Sequence, residues 1–279
     1  MDVFTIFIVL LFSFGSVGNV LIIISFLYKH KDSLTKMSSH HFLITVLAGV
    51  DLLICVIYIT TFSSSHFARY TWLYFPTVRA FSCWILVVIS YDRFRSIAHP
   101  FKGKSTKKRL FAVLAITFFV ISFIYLPFTL TSTLATVSYP KRLLWIASNN
   151  ALLDVILPFS LMCGFYRRIS CKLKKDLVQS AGNNQLFLKR NSKAMHVLRM
   201  LIVVYFICVV PMRIYLLIKL VMTDYLGISL SITSRFITIH AVIGLNNMLN
   251  VVIYAYMMSD FRKFLMKVFT CKIFIKERQ

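Results

Sequence analysis

The chain has 279 residues, of which 58% are hydrophobic, and its mean hydropathy is +0.77. A soluble domain of this length cannot hide so much apolar surface, and the apolar residues occur in long blocks. The formal net charge of +23 would suit a nucleic-acid-binding protein. However, the positive charges are divided among separate segments beside the apolar blocks. The composition therefore excludes an ordinary soluble protein and argues against nucleic acid as a partner.

Seven apolar blocks are each long enough to cross a bilayer as a helix, since about 20 residues at 1.5 Å rise span ~30 Å. In chain order they occupy 3–28, 40–62, 71–91, 110–134, 143–166, 197–220 and 227–258. Backbone groups inside lipid must bond within their own segment, which favours helices. The first block is too long for a removed signal peptide and lacks a basic leader. The sequence predicts an all-α membrane protein, a seven-transmembrane helix bundle in one domain, 1–279.

Positive charge is concentrated in four segments that lie on one side of the membrane if the seven spans alternate. Most of the 32 lysine and arginine residues fall in 29–36, 93–109, 167–199 and 262–278. Because positive charge marks the cytoplasmic face, we expect the N-terminus to be extracellular and the C-terminus cytoplasmic. The same charges predict contact with anionic lipid of the inner leaflet of the plasma membrane.

The sequence SDFRKFLMKVF, 259–269, follows the last span and has the pattern of an amphipathic helix. Its apolar residues recur at helical spacing opposite Arg262, Lys263 and Lys267. We predict a short amphipathic cytoplasmic helix over 259–270 that lies on the inner leaflet. Cys271 follows it and is a candidate palmitoylation site, the alternative being a free cytosolic thiol. No cysteine falls in an outer loop, so we expect no extracellular disulfide.

A few polar side chains lie inside the spans, where polar groups are costly and face the bundle interior. Asn19 lies in the first span, Asp51 in the second, and Asn246 and Asn250 in the seventh. A buried asparagine most often joins two helices by a hydrogen bond. The carboxylate differs, because an ionised aspartate needs a partner or becomes neutral. A cation held by Asp51, Ser82 and the seventh-span asparagines would meet that need.

Seven short motifs follow one another in order, each in the appropriate span: GN at 18–19, LAxxD at 47–51, DRFxxIxxP at 92–100, Pro158 with Tyr166, CxxP at 208–211, NVVIY at 250–254 and FRKF at 261–264. With these motifs the chain resembles the rhodopsin-like (class A) G-protein-coupled receptors over almost its whole length. The resemblance implies a receptor that transmits the binding of an extracellular ligand to heterotrimeric G proteins. It also implies no enzymatic activity, and the sequence contains no nucleophile elbow, phosphate-binding glycine loop or HExxH motif.

The resemblance assigns an activation role to the inner ends of several spans. Arg93 would contact the G-protein α subunit, and Asp92 would restrain it in the resting state. Arginine suits this role because its planar fork donates to several acceptors and stays charged near lipid. Phe94 follows in place of the usual tyrosine. Tyr166 and Tyr254 would swing inward on activation and bridge through water.

The resemblance also implies an interior sodium site formed by Asp51, Ser82, Asn246 and Asn250. Asn250 belongs at the same time to the activation motif NVVIY. Ser82 stands eleven residues before Arg93, where the family places this ligand. No other cofactor is expected.

The chain departs from the family pattern at positions that matter for activation. Val251 replaces the usual proline of the seventh span, which removes a kink-promoting ring. Val209 stands where the family has a tryptophan, and Tyr205 where it has a phenylalanine. No acidic residue occurs at the inner start of the sixth span, LKRNSKAM, to lock Arg93. We therefore expect a changed activation route and high basal activity.

The outer half of the bundle indicates which ligands to expect. Phe75 stands where amine receptors carry an aspartate, so a biogenic amine is not expected. The other pocket-level residues are Arg79, Asn150, Asp154, Val209, Arg213 and His240. Two arginines against one aspartate would leave a cationic pocket for a carboxylate or another anion, such as a peptide C-terminus or an acidic small molecule. Alternatively, Asp154 neutralises one arginine and the other extends outward, while His240 is either pH-sensitive or a satisfied interior histidine.

Two other functions fit the same spans. A non-signalling, receptor-like scaffold or ligand sink would explain the missing tryptophan and proline. A transporter would also use buried charges, but it predicts internal repeats and helices broken at the midplane, and neither is visible in the sequence. Arg93 separates the alternatives, because a transporter should tolerate its loss and a signalling receptor should not.

Overall fold

The structure is a computed structural model that describes residues 3–30, 37–63, 65–98, 106–134, 148–179, 185–220, 222 and 233–270. Its helices are α1 (Val3–Lys29), α2 (Ser39–Ser63), α3 (Ser65–Ala98), α4 (Lys107–Leu134), α5 (Leu157–Gln179), α6 (Gln185–Leu220), α7 (Thr233–Met257) and α8 (Ser259–Phe269). A π-helical turn, Leu152–Ile156, precedes α5. The described part of the chain contains seven long helices and one short helix in the predicted order, which confirms the predicted fold class.

Several helices extend beyond the apolar blocks that predicted them. The helix α3 starts at Ser65 and ends at Ala98, and α6 starts at Gln185, whereas the blocks cover 71–91 and 197–220. Hydropathy marks only the part of a helix that lies in lipid, while the backbone hydrogen bonds continue into polar surroundings. Among the described residues, length and composition alone qualify four helices as membrane spans: Thr5–Lys29, Ser39–Thr61, Lys107–Pro127 and Met195–Tyr215.

The helices form a closed bundle with α3 at its centre. Around the bundle, α1 packs on α2 and α2 packs on α3. The circle continues from α3 to α5, α6 and α7, and α7 packs on α1. The helix α3 also contacts α4, α5 and α6. The helix α4 lies outermost, and Phe119 and Phe123 on it are 69% and 74% exposed. These aromatic side chains point away from the protein core, as expected of a face that meets lipid.

Glycines let α1 approach α7 closely. A Cβ atom at Gly18 would lie 2.7 Å from both methyl carbons of Val251, and a Cβ atom at Gly244 would lie 2.7 Å from a methyl carbon of Leu11. Small residues at such positions allow helix backbones in membranes to come together. Val251, which replaces the family's proline, thus fills the space that Gly18 leaves open.

The helix α8 is amphipathic, as predicted. Phe261 and Phe264 are buried against the bundle, while Lys263 and Lys267 are exposed. At the start of α8, Asp260 accepts a 2.5 Å hydrogen bond from Lys29 at the end of α1. This bond holds the pKa of the Asp260 carboxyl below its usual value. The helix is therefore attached to the inner end of α1 by an ion pair and to the core by two aromatic rings.

Candidate functional site

The buried carboxylate of Asp51 joins three helices. Asp51 is fully buried on α2. Its Oδ1 accepts a hydrogen bond of 2.7 Å from Ser82 Oγ on α3, and its Oδ2 accepts one of 3.0 Å from Asn250 Nδ2 on α7. Each carboxylate oxygen therefore has a donor, as a buried charge or buried acid requires.

The fourth residue of the predicted sodium site, Asn246, lies slightly apart. It lines a cavity of about 20 Å³ whose wall also contains Ser82, Asn247, Arg79 and Val209. This volume accommodates about one water molecule or one small ion. A carboxylate, a hydroxyl and amide oxygens are the ligands that hard cations prefer. The predicted donors thus have the chemistry that a sodium ion requires, but Asp51 and Asn250 do not line this cavity, whereas Arg79 does.

A π-helical turn lies directly before α5, and Pro158 is the second residue of that helix. Proline has no N–H and cannot donate to the carbonyl four residues earlier. In the turn before it, the Leu157 N–H donates to Leu152 O, five residues back, instead of to Leu153 O. The freed carbonyl of Leu153 accepts a 3.0 Å hydrogen bond from Trp84 Nε1 on α3. Asp154 lies within this wider turn and is fully buried in the bundle.

Asp154 binds two arginines from different helices. Arg79 Nη2 on α3 donates to Asp154 Oδ2 over 3.0 Å, and Arg213 Nη2 on α6 donates to the same oxygen. The arginine side chains are 11% and 4% exposed and the aspartate 0%. We call these three residues the charge cluster. It links α3, the π-helical turn before α5, and α6, and its formal charge is +1.

The arrangement of the charge cluster differs from the predicted alternative in which Asp154 neutralises one arginine and the other arginine extends outward. Both guanidinium groups contact the carboxylate, and at most about a tenth of either side chain is exposed. Within the described part of the chain, Asp154 Oδ1 and Arg213 Nε are buried without a hydrogen-bond partner. The cluster is therefore compact, but its hydrogen bonding is incomplete.

The other predicted pocket residues lie around the cluster. Phe75 is buried, its ring meets Tyr58 edge-on at 4.7 Å, and the Arg79 guanidinium lies 5.4 Å from its centroid. Asn150 Oδ1 accepts a 2.7 Å hydrogen bond from the Tyr125 hydroxyl. His240 lies on α7, but its side chain is outside the described part of the structure.

The inner end of α3 carries the predicted switch residues. Arg93 Nη2 donates to Asp92 Oδ2 over 3.1 Å, and Ser39 Oγ on α2 donates to the same oxygen over 3.2 Å. Asp92 is 3% exposed and Arg93 is 19% exposed. The carboxylate is thus held inside the protein, while the Arg93 side chain is partly exposed near the end of α3. Phe94 stacks on Phe165 of α5 with 5.6 Å between ring centroids.

The two predicted tyrosine switches occupy different environments. Tyr254 is 1% exposed, and its hydroxyl is buried without a hydrogen-bond partner among the described residues. Tyr166 is half-buried and packs against the same core cluster. The structure therefore shows no direct bond between the hydroxyl groups. Cys271 lies outside the described residues, and the cysteines within them are free thiols.

Three contributors escaped the sequence-based prediction. Trp84 fixes the π-helical turn, Tyr125 orients Asn150, and Ser39 holds Asp92. Trp84 stands two residues after Ser82 inside an apolar block, where an indole N–H needs a partner. The need of this N–H for a hydrogen-bond partner could have indicated that Trp84 bonds to a neighbouring helix. The same requirement applies to the Tyr125 hydroxyl, which lies inside the apolar block 110–134, whereas the sequence offers no comparable indication for Ser39.

Comparison with known proteins agrees with this architecture. The sequence profile of the 7 transmembrane receptor (rhodopsin family) matches residues 18–254. The chain is 26% identical to the allatostatin-A receptor of Bombyx mori, over 92% of this chain and 76% of the relative. It is 24% identical to galanin receptor type 1 of Rattus norvegicus, over 95% of this chain and 81% of the relative. The mouse (Mus musculus) galanin receptor type 1 is also 24% identical, over 95% and 80%.

The profile match includes the spans that hold Asp51, Asp92, Arg93 and the charge cluster. It therefore covers the helices that build the candidate site. The chain belongs to the rhodopsin family of seven-transmembrane receptors, and it is a multi-pass receptor of the plasma membrane rather than an enzyme.

Proposed function

We propose that the chain activates heterotrimeric G proteins in response to an extracellular ligand, with its N-terminus outside the cell and its C-terminus in the cytoplasm. The observation that carries this proposal is the position of Arg93. It lies at the inner end of the central helix, and its ion pair with Asp92 is a contact that would have to be released before Arg93 could bind a G protein. A partly exposed guanidinium on a rigid helix is suited to bind carbonyl oxygens of a docking helix.

The ligand that we propose carries an acidic group and is a peptide or an acidic small molecule. The charge cluster supports this class, because its net positive charge attracts a carboxylate and repels an ammonium group. Phe75 supports the exclusion of biogenic amines, since this buried ring offers no counter-ion. The relatives named for allatostatin-A and galanin agree with a ligand that is not an amine.

Replacement of Arg93 by alanine should abolish ligand-free recruitment of engineered G-protein α subunits in cells at matched surface expression. Each hydrogen bond to a charged group contributes about 1.5–3 kcal/mol, so the loss should exceed about tenfold. Arg95→Ala is the matched control, because Arg95 lies two residues along the same helix and is likewise partly exposed. Recruitment that is the same in wild type and Arg93→Ala would contradict the proposal and favour a non-signalling scaffold.

We propose in addition that Asp51, Ser82, Asn246 and Asn250 hold a sodium ion, which would supply the counter-charge to a buried carboxylate. Sodium chloride should raise the melting temperature of the purified receptor above that in choline chloride at equal ionic strength. A gain of about 1 kcal/mol corresponds to about 2–4 °C in a protein of this size. The difference should disappear in Ser82→Ala. An equal melting temperature in both salts would contradict this assignment.

The exposed basic face of α8 supports a contact with anionic lipid of the inner leaflet. Lys263 and Lys267 lie opposite the buried Phe261 and Phe264. Basic side chains near such a surface contribute about 1 kcal/mol each.

A further inference from the structure

Within the described part of the chain, the charge cluster of Arg79, Asp154 and Arg213 contains two positive charges and one negative charge. Two guanidinium groups crowd onto a single carboxylate oxygen, while the second oxygen of Asp154 and Nε of Arg213 have no partner in the described part of the chain. An uncompensated charge in the interior is costly, and two-pronged pairing with a carboxylate is the geometry that arginine favours. The arrangement is therefore that of a site in which a second carboxylate completes the pairing.

A carboxylate cannot simply be added to the cluster as it stands. The cavity beside Arg79 has a volume of about 20 Å³, which is enough for one water molecule and too small for a carboxylate group. Asp154 is itself fully buried. Arg213 does not line this cavity, and its side chain is 4% exposed and in contact with Asp154, so a carboxylate that pairs with Arg213 has to take the place of the Asp154 carboxylate.

The two arginines differ in how firmly they are held. Arg79 lies over the Phe75 ring as well as binding Asp154. For Arg213, the described contacts contain the hydrogen bond to Asp154 and no second one. Arg213 is thus the arginine that can exchange its partner at the smaller cost.

We propose that Arg213 binds the carboxylate of the ligand, and that Asp154 is an internal counter-ion which the ligand displaces. This inference rests on the proposed function and defines how the same site is regulated. The exchange leaves Asp154 paired with Arg79 and removes the link between α5 and α6. Because Val209 stands on α6 where the family's tryptophan is expected, the link offers this chain another way to couple ligand binding to movement of α6.

The test measures binding of acetate to the purified full-length receptor by thermal unfolding, with acetamide as the uncharged probe of the same shape. In Asp154→Asn the side chain keeps its size and loses its charge, so the two guanidinium groups lose the carboxylate that they share. Acetate should raise the melting temperature of Asp154→Asn more than that of the wild type, with at least about tenfold tighter apparent binding. Acetamide should have no such effect, and Asp154→Asn combined with Arg213→Gln should not respond to acetate.

Equal effects of acetate and acetamide, or an acetate response that survives Arg213→Gln, would overturn the proposal. If Asp154→Asn does not fold, the wild type supplies the same test, since its acetate response should disappear in Arg213→Gln. The response should persist in Arg199→Gln, which removes an exposed arginine from the inner part of the same helix. These measurements report binding alone, so they are independent of whether a G protein is recruited.

Two further probes distinguish the source of the carboxylate. A mixture of random pentapeptides with free C-termini is compared with the same mixture in amidated form. If the free-acid mixture stabilises the receptor, the amidated mixture does not, and the effect is lost in Arg213→Gln, the site binds a peptide terminus. Stabilisation by acetate and longer fatty acids, with no difference between the two peptide mixtures, assigns it to a small acid. Failure of every carboxylate to stabilise the wild type and Asp154→Asn rejects the site.

Discussion

Replacement of Gly18 by leucine is expected to prevent the receptor from reaching the cell surface. Even a single added carbon at this position would lie 2.7 Å from two methyl carbons of Val251. Valine is stiff at χ1 and cannot turn away, so α1 and α7 would have to separate. Overpacking in a tight core costs about 1–3 kcal/mol, and leucine adds three further carbons to the clash. Surface labelling and thermal unfolding of the purified protein measure the effect.

The chain supplies a matched control for this prediction. A Cβ atom at Gly49 on α2 would meet no atom within 4 Å, so Gly49→Leu should be expressed as well as the wild type. A rescue experiment uses the smaller change Gly18→Ala. As a single change, Gly18→Ala should lower the melting temperature. The melting temperature should recover in the double variant Gly18→Ala with Val251→Ala, because the second change removes the two methyl groups. Equal expression of Gly18→Leu and Gly49→Leu would show that close packing of α1 on α7 is not required.

Neutralising Asp92 should raise ligand-free G-protein recruitment. In Asp92→Asn the charge that holds Arg93 at 3.1 Å is lost, while the side-chain shape and an acceptor for Ser39 remain. An ion pair of this partly buried kind contributes about 1 kcal/mol, so the active population should increase about fivefold. The measurement is recruitment of engineered G-protein α subunits at matched surface expression.

Removing Ser39 tests the support that its hydroxyl gives to the Asp92 carboxylate in the same ion pair. Ser39→Ala leaves the charge of Asp92 in place and removes one donor to its carboxylate. The effect on basal recruitment should therefore be smaller than that of Asp92→Asn. If Asp92→Asn lowers recruitment instead, Asp92 supports the active conformation rather than the resting one.

Much of the fold could be predicted from the sequence, because long apolar segments indicate membrane helices and the helical spacing of apolar residues indicates α8. The π-helical turn could not. The apolar block 143–166 is continuous, and Pro158 alone does not determine whether a helix kinks, breaks or widens. That choice depends on partners in space, among them Trp84, which binds the carbonyl that the wider turn releases.

The candidate site shows the same division. The sequence identified Asp51, Ser82 and Asn250, and the structure brings these three together. It also placed Arg79, Asp154 and Arg213 at one level, but it did not indicate that both arginines share one oxygen. Depth along a helix follows from residue spacing, whereas the direction of a long flexible side chain depends on competing partners. Val251 illustrates the point, since the sequence indicated only a lost proline and the structure shows a close fit to Gly18.

The hydrogen bond from Trp84 to Leu153 places a natural fluorophore next to the charge cluster. The chain contains three tryptophans, and Trp84 donates to the residue directly before Asp154. Indole emission responds to the charges around the ring and to the loss of its N–H partner. With Trp72 and Trp145 replaced by phenylalanine, the emission of Trp84 would follow the contact between α3 and α5 in real time. The receptor would then report rearrangement of its own interior without an attached dye.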